Sequence, residues 1–145
     1  MGMEEWQLDA IKKGLDEGRD VSIYAKTIYD ANQMFAILDA LRANLTNAQI
    51  EFIANPDNTW PEMNLITMCY IKDVPQNEIN EFLKYNNHDI NDFSSYNSNI
   101  PFIITDCLKE DFTTDQIKLL VSHDYDSEQR DEIKKVLRVI YRKNK

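Results

Sequence analysis

Two histidines and two cysteines are the first residues to weigh for chemistry in this chain of 145 residues. Cys69, His88, Cys107 and His123 together have the donor set of a tetrahedral zinc site. Their spacing lacks the close C-x-x-C or H-x-H pairs that anchor such sites, so no metal is expected. His88 precedes Asp89 and His123 precedes Asp124, but neighbours in sequence do not make a catalytic triad. Asp124, Asp126 and Glu128 have the spacing of calcium-loop carboxylates, without the turn glycine or the terminal bidentate Glu. No nucleophile elbow, phosphate loop, dinucleotide fingerprint or metalloprotease motif occurs. Carboxylates abound, yet nothing pairs two of them for acid–base work. The expectation is a non-enzymatic chain with no cofactor and no metal.

What the chain does carry is a helix-start signal that returns on a beat. A small polar cap residue is followed three positions later by Gln or Glu, the capping box that satisfies two orphan backbone N–H groups. It occurs from Asp30 to Gln33, Thr46 to Gln49, Thr59 to Glu62, Thr113 to Gln116 and Asp126 to Gln129. Weaker starts stand at Glu4, Asp20, Pro75 and Asn97. An apolar residue often precedes the cap (Tyr29, Leu45, Phe112), as in a hydrophobic staple. Successive caps lie 16, 10, 16, 13, 16, 22, 16 and 13 residues apart. Every odd step is 16, which describes a two-helix unit with a fixed first helix and inner turn. The second helix and outer loop vary.

Apolar residues follow the same frame. Four, seven and eleven places after the first cap of each unit stand Leu8, Ile11 and Leu15, then Met34, Ile37 and Leu41, then Met63, Ile66 and Tyr70. The fourth unit gives Pro101, Ile104 and Leu108, and the fifth Arg130, Ile133 and Leu137. Such offsets share one helix face. Second helices repeat the scheme with Ile50 and Ile53, Ile79 and Phe82, Ile117 and Leu120. The fold expected is all-α: a right-handed array of helix-turn-helix repeats, about four and a half units and roughly nine helices, in a single domain over 1–145. Ile100–Ile104 also reads as a short strand. Nine extra residues fall in an insert near 85–96, polar but marked by Ile90, Phe93 and Tyr96, either a binding feature or a decorated loop.

Composition sets outer limits. A hydrophobic share of 43% suits a folded core rather than disorder. No apolar run approaches a membrane span, and no basic-then-apolar leader opens the chain, so a cytoplasmic protein with reduced thiols is expected. Net charge is −9 and uneven. Residues 51–129 sum to −11, while 130–145 sum to +5. An acidic body disfavours direct nucleic-acid binding and favours a basic protein partner. The acidic residues expected to meet such a partner are Asp89, Asp92, Glu110, Asp111 and Asp115.

The stretch Gln7–Ala25 resembles a short repeat of conjugative-element and prophage proteins in gut Firmicutes, of the form Q-M-x-x-I-R-x-G-L-x-x-G-L-D-V-S-x-Y-A. Tyr29-Asp30-Ala31-Asn32-Gln33-Met34 is similar to its continuation. Arg19 replaces the usual Leu, and the second unit lacks the glycines. The resemblance implies a mobile-element origin and brings no catalytic residue. Small acidic proteins of such elements include counter-defence factors. A stoichiometric inhibitor that fills the basic groove of a nucleic-acid enzyme is therefore the leading expectation. A peptide- or protein-binding adaptor using Trp60, Phe35 and Tyr70 is the second. A DNA-binding regulator using Arg130, Lys134, Lys135, Arg138, Arg142 and Lys143 is the third. No membrane partner is expected, and self-association through an open end of the repeat is compatible with the pattern.

Overall fold

Reciprocal capping boxes open six helices of the computed structural model, which describes residues 2–85, 100–122 and 125–143. The caps are Glu4, Asp30, Thr46, Thr59, Thr113 and Asp126. At Asp30, for instance, Gln33 N–H donates to Oδ1 at 2.8 Å while Asp30 N–H donates to Gln33 Oε1 at 2.9 Å. Each such cap stabilises its helix by about 1 kcal/mol.

Among the described residues every regular element is helical: α1 (Glu5–Asp16), α2 (Ala31–Arg42), α3 (Asn47–Ile53), α4 (Trp60–Ile71), α5 (Gln76–Lys84), α6 (Ile100–Lys109), α7 (Thr114–Val121) and α8 (Ser127–Lys143). The start expected at Asp20 yields only a 3-10 turn, Val21–Ile23, where Asp20 Oδ1 accepts from the Ser22 N–H and the Ser22 hydroxyl. The second helix of the first unit is therefore a single turn. Ile100–Ile104 is helix and not strand. The insert beyond Tyr85 and the cap at Asn97 lie outside the described residues.

The constant step of 16 has a backbone cause. Gly18, Asn44 and Asp73 adopt left-handed φ of 72°, 59° and 59°, and they stand 14 residues after the first-helix caps Glu4, Asp30 and Thr59 respectively. Asp111, 14 residues after Asn97, has φ 64°. Gly, Asn and Asp are the residues that reach this region most readily. The turn lets Gly18 N–H bond Leu15 O at 2.9 Å and Asp111 N–H bond Leu108 O at 3.0 Å, closing the helix two residues before the next cap. In α8 the equivalent place is Ile140, and the helix runs on through it.

Contacts divide the chain into two compact groups, Met1–Asp73 and Val74–Lys145. In the first, α1 packs on α2 and α2 on α4, with the 3-10 turn against α1 and α3 bridging α2 and α4. Its core holds Tyr24, Met34, Ile37, Leu38, Ile53, Met63, Leu65 and Ile66, all under 2% exposed. Gly14 allows the close approach of the turn: a Cβ there would overlap Tyr24 Oη and Val21 Cγ1. Tyr24 Oη donates to Ala10 O at 2.8 Å, so that ring has no room to move aside. In the second group α7 packs on α6 and α8. Ile79, Phe82, Ile104, Ile117 and Leu120 are buried there, as their spacing predicts.

The first unit departs from its expected face. Leu8 and Leu15 are 54% and 59% exposed, while Gln7, Ala10 and Gly14 are buried. With about 100° per residue, these two sets lie on different sides of α1. In the next unit Gln33, Ala36, Ala40, Met34 and Ile37 are buried and Leu41 is half-buried, because α2 has packed elements on both sides. α1 packs against α2 and the turn on one side alone.

Candidate interaction surface

Of the five acidic residues expected to form a binding patch, Asp89 and Asp92 lie outside the described residues. Glu110, Asp111 and Asp115 come together at the turn between α6 and α7, and all three are exposed. Glu110 is already engaged. Arg138 Nη2 donates to its Oε1 at 2.7 Å, and Lys134 Nζ lies 3.3 Å from Oε2. Arg138 also sits over the Phe112 ring, 5.9 Å from its centre. The acidic body and basic last helix thus balance each other at this point. Asp111 caps the end of α6 through its backbone, and Asp115 stands in the first turn of α7, where a negative side chain favours the helix dipole.

Four of the six basic residues suggested for DNA contact are engaged in their own chain too. Besides Lys134 and Arg138, Lys135 pairs with Glu132 at 3.3 Å, and Arg130 Nη2 donates to Tyr125 O at 2.7 Å.

Two ion clusters escaped the sequence reading because their members are far apart in the chain. Lys118 of α7 reaches Glu78 and Glu81 of α5 at 2.5 and 2.6 Å. Glu78 and Glu81 raise its pKa, and Lys118 holds Glu81 below the usual carboxylate range. Glu17, just past α1, accepts from Arg42 Nη2 at 2.5 Å and from Arg19 Nε at 3.1 Å. Arg42 first, then Arg19, pull its pKa from 4.5 to about 2. A lowered folded-state pKa adds stability that is complete above the unfolded value and fades as the pH falls from about 4.5 to about 2. A carboxyl-carbon NMR titration should find Glu17 ionised to far lower pH than its neighbours. In Arg42→Gln its midpoint should return most of the way to 4.5.

The aromatic residues suggested for a concave binding face are partly covered. Phe35 lies under Lys13 Nζ, 5.5 Å from the ring centre, and Trp60 and Tyr70 are half-buried. The large apolar side chains most open to solvent are others: Trp6 at 67%, Leu8, Leu15, Ile28 and Ile71 in the first group, and Val136, Val139 and Ile140 on α8. Sequence reasoning assigned Leu8 and Leu15 to the core. Trp6, two residues after a cap, had no place in the offset scheme.

Cys69 and Cys107 are fully buried, and burial pushes their thiols up to about 12 and about 11, far from a reactive thiolate. Among the described residues no group of three His, Cys, Asp or Glu could hold a metal ion, and no helix is long and apolar enough to cross a membrane. His88 and His123 lie outside the described residues. No family model, curated protein or solved structure matches the chain.

Proposed function

We propose that this chain is a non-enzymatic protein-binding factor of a mobile genetic element. In this reading it is a stoichiometric inhibitor, of the anti-CRISPR or antirestriction kind, that fills the basic groove of a host nucleic-acid enzyme. The observation that supports it is the disposition of charge. Arg19, Arg42, Lys118, Lys134 and Arg138 are each held by carboxylates of the same chain. The net −9 is therefore carried with much of the cationic surface already neutralised from within. A groove shaped for a phosphate backbone is the complement of such a surface. The mobile-element origin rests on the resemblance of Gln7–Ala25.

The test is competition with duplex DNA for purified defence nucleases, from low to moderate salt. Inhibition should weaken steeply with salt. Asp111→Lys combined with Asp115→Lys should weaken it by about tenfold or more. Inhibition indifferent to both would overturn the electrostatic reading. A general protein-binding adaptor is the second reading, favoured by the exposure of Trp6 at 67%. Binding of that kind would resist salt and fall on Trp6→Ala.

A further inference from the structure

α1 and α2 each have a side that faces the following unit. Three, six and ten places after the cap, α1 places Gln7, Ala10 and Gly14, and α2 places Gln33, Ala36 and Ala40, all buried. The same places on α8 hold Gln129, Glu132 and Val136, all exposed. Val139 and Ile140 beside them are 52% and 45% exposed, so the outer side of α8 is an apolar stripe. α1 has the converse gap. Leu8 and Leu15 are open, whereas Met34, which matches Leu8 in the next unit, is fully buried.

A repeated hydrogen bond marks the same direction. Gln7 Nε2 donates to Tyr29 O at 2.7 Å, and Gln33 Nε2 donates to Asn58 O at 2.8 Å. Both carbonyls belong to the residue just before the next first-helix cap. Gln129 is set the same way, its Oε1 accepting from Asp126 N at 2.9 Å. Its amide nitrogen is exposed, with no acceptor among the described residues.

We propose that a second copy of this chain supplies the missing unit: α1 of one copy docks on α8 of another. Gln129 Nε2 then donates to Met3 O, the carbonyl before the Glu4 cap. Leu8 and Leu15 cover Val136, Val139 and Ile140. Charge fits the same register. Lys13, nine places after its cap, lies over Phe35, five places after the next cap. In the stacked pair those two places are Lys135 and Asp9, which attract. Two groups oppose the contact: Glu132 stands where Ala10 and Ala36 pack, and Lys12 stands where the fully buried Leu38 packs in the next unit. A single helix pair also covers less than the roughly 1,200–2,000 Å² of a stable interface. The association is therefore weak, head-to-tail and open-ended.

Sedimentation of the full chain over a wide concentration range tests this. Wild type should grow in mass with concentration, and Glu132→Ala should associate about tenfold more tightly. On the Glu132→Ala background, Leu8→Glu and Val136→Glu should each give monomers, yet their equimolar mixture should give a dimer and stop there. Both positions are exposed, and circular dichroism would verify folding. No association by Glu132→Ala would overturn the proposal. So would association that survives Leu8→Glu, since that would mean an α8-to-α8 contact.

Discussion

Gln33→Ala should destabilise the first group of helices by about 2–4 kcal/mol, against about 0.5–1 kcal/mol for Gln49→Ala. The two residues look alike in sequence, each third after a cap. Gln49 sits at the surface and only closes its own box, accepting from Thr46 N at 2.9 Å. Gln33 is 8% exposed and serves two units at once. It accepts from Asp30 N at 2.9 Å and donates to Pro56 O and Asn58 O at 3.2 and 2.8 Å. Truncation leaves those groups without their partner where water has poor access, and the cost of stranding them exceeds the net value of the bonds themselves. Gln33→Glu should fall between, because it keeps the acceptor for Asp30 N and loses the donors. Urea unfolding with amide exchange in α2 would measure all three. Equal costs for Gln33→Ala and Gln49→Ala would mean that the link between units contributes nothing.

That contrast shows what the chain discloses to a reader and what it withholds. Caps are local, so the starts at Asp30, Thr46, Thr59, Thr113 and Asp126 were legible from residue type and spacing alone. The left-handed residues went unread, although Gly18, Asn44, Asp73 and Asp111 recur 14 places after a cap and are the types that tolerate that conformation. Burial is not local. Leu8 has the offset of a core residue and is exposed, because a periodic pattern identifies a face without saying whether anything covers it. At Asp20 the cap residue is present, but only a short turn follows, packed into the notch that Gly14 leaves. Ion pairing across the chain is not local either. Glu110 is answered by Arg138, 28 residues away, and no window of sequence pairs them. Nor does any window join Glu78 to Lys118. The apolar sides of α1 and α8 became visible only when offsets in successive units could be compared for burial.

Phe82→Ala should cost the second group about 3–5 kcal/mol, whereas Lys118→Met should cost about 1–2 kcal/mol. Both changes loosen α5. This helix has nine residues, fewer than an isolated helix needs to persist in water. Its cap is Pro75, which offers no side-chain hydrogen bond, so packing or ion pairing must hold it. Phe82 is 1% exposed, and Ile79, one turn before it, is fully buried. Removing the ring deletes transfer free energy and leaves a cavity between helices that cannot fully close. The Lys118 clamp is short and largely wet: the lysine and Glu78 are 23% exposed and Glu81 is 48% exposed, with only Glu78 Oε2 buried. Solvent screens such a pair, and ordering three long side chains offsets part of what remains. Thermal unfolding should therefore separate the variants widely, and 1 M salt should move wild type little. If Lys118→Met cost as much as Phe82→Ala, the clamp and not the apolar face of α5 would be what keeps this helix in place.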